Sequence, residues 1–156
     1  MSADLEIILR AATSTVFATM LKTTPEFGGF EGGLPNGEEH VAGTVGFTGP
    51  LNGLIHFYSD ATLARKLACR MLSMTDAEIE GNEMINDVIG ELTNMLAGQV
   101  KVKLSQAGTH CLLTVPTVMR GTNLATVTIG QNIRKMVCIQ CDGGKAVLEA
   151  SIRIQK

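Results

Sequence analysis

The chain has 156 residues, 45% hydrophobic and 18% charged, with a net charge of −2. That length and balance suit a single domain, 1–156, with a full core. The mild negative charge offers nothing to nucleic acid or to an anionic membrane, and with no Trp and one Tyr the usual stacking platforms for bases and sugars are missing. No apolar run approaches the roughly 20 residues needed to cross a bilayer. The opening residues Met1–Glu6 are acidic and lack the basic start and apolar stretch of an export signal. Four cysteines at irregular spacing then read as reduced thiols, and a cytoplasmic chain is expected.

In chain order, residues 3–22 predict an amphipathic helix. Leu5, Ile8, Leu9, Ala12, Val16, Phe17, Met20 and Leu21 recur at three- and four-residue steps, and Pro25 stops it. Residues 26–38 are rich in glycine and read as a loop or irregular edge. Two strand-like runs follow, His40–Thr48 and Leu54–Ser59, joined by the hairpin connection Gly49–Gly53. Asp60 suits the N-cap of a helix reaching about Met74. A long helix from Asn82 to about Leu104 comes next.

The last third is β-branched. Cys111–Val115, Val118–Arg120, Leu124–Ile129, Ile133–Cys141 and Val147–Ile154 read as short strands, with Asp142-Gly-Gly-Lys145 as a hairpin turn. The pattern is α+β, with helices packed on a largely antiparallel sheet.

The most informative stretch is Asn86–Gly98. At about 100° per residue, Asp87, Glu91 and Asn94 fall within roughly 60° of one another. Ile85, Val88, Ile89, Leu92, Leu96 and Val100 form a broad apolar face on the other side. Gly98 continues the polar line one turn further, and Gly90 lies beside it. Glycine inside a helix costs roughly 1 kcal/mol against alanine, a cost that makes sense where something approaches the bare backbone. Taken alone, an acid and amide line of this kind is most often a solvated surface.

The wider pattern favours function. Asp87-x3-Glu91-x2-Asn94, followed by Met95-Leu-Ala-Gly98, resembles the active-site helix of the CheC/CheX/FliY chemotaxis phosphatases. Upstream, Gly49-x3-Gly53-x3-Phe57-x-Ser59-x-Ala61-x2-Ala64-x2-Leu67-Ala68-x2-Met71-Leu72 resembles the strand and helix preceding that motif, and Val16-Phe17-x2-Met20-Leu21 is similar to the family's first helix. Pro116 falls where the family places a proline after the motif. In CheC and FliY a second copy of the motif lies on the first helix. Here that stretch offers no acid-x2-amide, so the resemblance is to the single-site CheX type.

The resemblance implies a CheC/CheX-like fold and hydrolysis of the phospho-aspartate of a CheY-like receiver domain. It makes Glu91 and Asn94 the catalytic residues. A carboxamide is no strong base, but it can hold a water in line, as the glutamine of GTPases does. Asn94 would orient the nucleophile, while Glu91 would pair with the lysine that receivers place beside the phosphoryl group. Asp87 and Gly98 would complete the partner-binding line. The Mg²⁺ of such a reaction belongs to the receiver, so no cofactor of the chain's own is implied. A homodimer joined through edge strands such as Ile133–Cys141 is expected as well. The alternative is a non-catalytic docking module on the same fold.

Other candidates carry less. Cys138-x2-Cys141 lies in a strand-like run, where three-residue spacing puts the side chains on opposite faces and points to core thiols. His40, His56 and His110 are scattered and read as structural. Gly28–Gly33 lacks the ending of a phosphate loop and carries Glu31.

Overall fold

The computed structural model describes residues 2–28, 38–122, 124 and 132–153. Among them α1 spans Ser2–Val16, α2 Ala61–Leu72 and α3 Asn82–Gln106. The strands are β1 Glu26–Phe27, β2 Glu39–Thr48, β3 Gly53–Asp60, β4 Leu112–Leu113, β5 Thr117–Thr122, β6 Asn132–Cys141 and β7 Gly144–Arg153. They form one antiparallel sheet in the order β1-β6-β7-β3-β2-β4, with β5 also paired to β2. This is the α+β arrangement expected from the sequence.

All three helices pack on one face of the sheet. Val41, Val45 and Phe47 of β2, Ile55 and Phe57 of β3, and Leu148, Ala150 and Ile152 of β7 alternate onto that face and are buried. From α1, Leu5, Leu9, Ala12 and Val16 meet them, and Phe17 packs edge-on against Phe57 at 6.4 Å between ring centroids.

The first helix is regular only to Val16. Phe17–Leu21 then forms a wide π-turn that keeps both end residues buried. The N–H groups of Lys22 and Thr23 both reach the Phe17 carbonyl, and Lys22 at φ 53° ends the helix ahead of Pro25. The predicted cap of α2 is present: Asp60 Oδ1 accepts from the Leu63 N–H at 2.6 Å. The same carboxylate's Oδ2 accepts from the Lys145 N–H at 3.0 Å, joining α2 to the β6–β7 hairpin. In that hairpin Asp142 and Gly143 take φ values of 50° and 77°, the paired positive φ of a two-residue turn.

The helix expected to reach about Met74 ends at Leu72, where Ser73 turns left-handed at φ 54° and the Met74 N–H bonds the Cys69 carbonyl. The run Cys111–Val115 is strand only at Leu112–Leu113, whereas Val118–Arg120 extends to Thr117–Thr122. Both pair with the same side of β2, β4 at Phe47–Thr48 and β5 at Glu39–Thr44. Between them Pro116 has no N–H to give a ladder, and Thr114 bridges Gly46 through its backbone N–H and its hydroxyl. The expected strand Leu124–Ile129 lies outside the described residues apart from Leu124, which is in no regular element. Strand β6 pairs with β7 along its whole length, while on its other side β1 covers Ile139 and Gln140.

Candidate functional site

The apolar face predicted for α3 is buried in full: Ile85, Val88, Ile89, Leu92, Leu96 and Val100 all lie in the core. The opposite line stands at the surface. Asp87 and Glu91 are exposed, and Asn94 and Gly98 are half-buried. From Asp87 to Gly98 the line runs about 16 Å along the helix axis. Among the described residues neither Asp87 nor Glu91 forms an ion pair within the chain. The Asp87 end borders a cleft of about 490 Å³ lined also by Glu80, Glu83 and Met84.

The two helix glycines part company. A Cβ on Gly98 would meet nothing within 4 Å, so that stretch of backbone faces open space. Gly90 is buried, and a Cβ there would stand 3.1 Å from Val118 Cγ2. Its bare backbone therefore admits the chain's own β5, while Gly98 stays open on the polar line.

Several residues that seat α3 were not singled out from the sequence. Thr93, fully buried beside Asn94, gives its hydroxyl to the Ile89 carbonyl at 2.7 Å. It fills a notch at Gly43 of β2, where a Cβ would collide with the Thr93 hydroxyl and stand 2.9 Å from Thr93 Cβ. Further up the helix, Arg120 of β5 donates to Asn86 Oδ1 from Nε at 3.1 Å and from Nη2 at 2.9 Å, and to Glu39 Oε1 from Nη1 at 2.6 Å. An isolated glycine inside a strand run, such as Gly43, is the signal that could have disclosed the close approach. Arg120 left no comparable trace.

The remaining candidates stay apart from this surface. Cys138 and Cys141 lie on opposite faces of β6, by their register against Val147 and Gly144, and burial pushes the Cys141 thiol up. His40 and His56 are buried, and His110 is exposed. His56 Nδ1 lies 2.9 Å from the Thr44 hydroxyl, and burial holds its pKa below the ordinary value. Among the described residues, Nε2 of each buried histidine has no partner. Among the described residues no three His, Cys, Asp or Glu side chains come together to hold a metal. Most of Gly28–Gly33 lies outside the described residues.

This arrangement of helices on an antiparallel sheet is shared with solved chemotaxis proteins. The CheX chemotaxis protein of Vibrio vulnificus matches with a TM-score of 0.81 at 22% identity, covering 98% of this chain and 99% of that one. A CheX-CheY-BeF3-Mg²⁺ complex from Borrelia burgdorferi matches with a TM-score of 0.73 at 23% identity over 96% and 97% of the two chains. The fold is thus the CheX/CheC-like one. A family model described as chemotaxis phosphatase CheX matches residues 41–144, and the chain belongs to that family. The CheY-P phosphatase CheX of Thermotoga maritima is 34% identical over 87 residues, 55% of each protein. The chain therefore matches about half the length of that curated relative. The matched family segment contains all of α3.

Proposed function

We propose that this chain is a phosphatase for the phospho-aspartate of a CheY-like receiver domain. The observation that carries the reading is the surface line Asp87, Glu91, Asn94 and Gly98, on a helix whose other side is buried in the core of a CheX-family chain. Family membership supports it, as does the solved relative named as a complex with CheY, BeF3 and Mg²⁺. The whole chain 1–156 acts as one domain, in the cytoplasm.

The chain's own part in the reaction is positional. Asn94, half-buried on the surface line, accepts from and donates to the attacking water and sets it in line with phosphorus. Glu91, exposed and paired with no cation among the described residues, pairs with the receiver's lysine and fixes the docking register. Asp87 meets a cation at the rim, and Gly98 leaves room for the receiver backbone. The receiver brings the Mg²⁺ that offsets charge on the phosphoryl oxygens. Two copies associate through sheet edges. The open flank of β6 and the outer side of β5, where Met119 is 65% exposed, are among the edges available in the described residues.

The test is phosphate release from a panel of phosphorylated receivers of the same organism. Release accelerated well beyond each receiver's own rate supports the enzyme. Binding without acceleration would turn the assignment toward a docking module.

A further inference from the structure

The polar line of α3 can work only if the helix holds one rotation and one height above the sheet. Two of its contacts with the sheet are steric: Thr93 in the notch at Gly43, and Gly90 over Val118. Both limit how closely the helix approaches, and neither has a directional bond to the sheet that resists turning. The third contact is directional. The Arg120 side chain, 16% exposed, forks from β5 onto a single oxygen of Asn86, while its remaining arm is held by Glu39 at the start of β2. Asn86 immediately precedes Asp87.

We infer that Arg120 is a positioning residue for the phosphatase surface, acting through Asn86 to set the rotation of α3; this rests on the functional reading above. A guanidinium is planar, with donors fixed in direction, so two donors on one amide oxygen restrain the angle as well as the distance. A helix with its side chains has a radius of about 5–6 Å, so a 10° turn carries a side-chain tip through about 1 Å. Misplacement by that amount can cost a reaction up to about 10²-fold in rate. Glu91 is a long exposed side chain that can follow its partner through such a turn. Asn94 is shorter and half-buried and has a water to aim, so it cannot. Loss of the fork therefore separates the chemical step from docking.

The experiment compares Asn86→Leu, Asn86→Asp and Arg120→Met with the wild type. It measures kcat and KM for a phosphorylated receiver, together with thermal unfolding. Asn86→Leu is expected to lower kcat by about tenfold or more with KM changed by less than about threefold. Asn86→Asp keeps an acceptor for the fork and is expected to hold kcat within about twofold. Arg120→Met should follow Asn86→Leu. If Arg120→Met does not fold, the two Asn86 variants still decide the matter, because Arg120 keeps its Glu39 contact in both. Equal kcat in all folded variants, whatever their melting temperatures, overturns the proposal and leaves the phosphatase reading intact. A fall in kcat for Asn86→Asp as large as for Asn86→Leu overturns it too. A wild type that releases no phosphate from any receiver refutes the phosphatase reading, and this inference with it.

Discussion

Gly98→Leu separates two demands on one position. Glycine in a helix interior is about 0.8 kcal/mol less favourable than leucine, and a Cβ at Gly98 meets nothing within 4 Å, so no collision offsets that gain. For a domain of this size 1 kcal/mol moves the melting temperature by about 2–4 °C, so a rise of about 2–3 °C is expected. The leucine side chain would stand on the open surface one turn beyond Asn94, about 6 Å along the axis. A receiver docked along Asp87–Gly98 would have to lift off at that end, and lifting the reacting groups apart by about 1 Å can cost up to about 10²-fold. A loss of at least about tenfold in kcat/KM, roughly 1.4 kcal/mol, is therefore expected. Gly98→Ala should give at least as much stabilisation, with a smaller loss of activity. The assays are differential scanning calorimetry and steady-state phosphate release with the same protein samples. Raised stability together with wild-type turnover would refute the claim that the receiver passes over Gly98. A lowered melting temperature would refute the claim that this stretch of backbone faces open space.

Asn94→Ala should slow receiver dephosphorylation by about 10²-fold while receiver affinity, read by fluorescence titration, changes little. Glu91→Lys should weaken receiver binding, because it sets a cation against the receiver's lysine, and the wild-type complex should weaken modestly as salt rises. His56 is held below its ordinary value of 6.5 chiefly by burial, with Glu149 opposing and Arg134 assisting. The unfolded chain therefore takes up the proton first, and stability present above pH 6.5 is lost as pH falls toward the folded value. Urea unfolding between pH 7 and 5 should show this loss, smaller in His56→Gln; an equal pH slope in the two proteins would count against it. Light scattering at high micromolar concentration should report a dimer, and a monomer throughout that range would remove the edge-pairing proposal.

Local chemistry was legible in the sequence. The period of α3 separated its buried face from the line Asp87–Glu91–Asn94 because both lie within a few turns of one helix. Asp60 announced its helix through a cap closed three residues away, and Asp142-Gly143 announced its turn through two adjacent positive φ values. What stayed hidden depends on which distant segments meet. Nothing in a helical period tells that Gly90 lies over Val118 or that Thr93 drops into Gly43, since those partners are fixed by sheet order. The fork from Arg120 to Asn86 joins residues 34 positions apart. The two runs expected on either side of Pro116, Cys111–Val115 and Val118–Arg120, differ from β4 and β5 only in extent, which follows from their pairing with β2 and not from local β-propensity. The family resemblance supplied roles for Glu91 and Asn94 that periodicity alone would have left as solvated surface.

The place of β7 in the sheet bears on how the protein is made. Last of the described strands in chain order, it lies between β6 and β3, inside the sheet and not at its rim. During synthesis β3 can pair with β2 as soon as both have left the ribosome, but its other flank waits for nearly a hundred further residues. Until then Ile55 and Phe57 stand beside an unfilled ladder, the kind of exposed edge that recruits the wrong strand. The helix α3 is complete well before that gap closes. A chain cut short ahead of Gly144 would thus carry every residue of the Asp87–Gly98 line on a sheet still missing its middle.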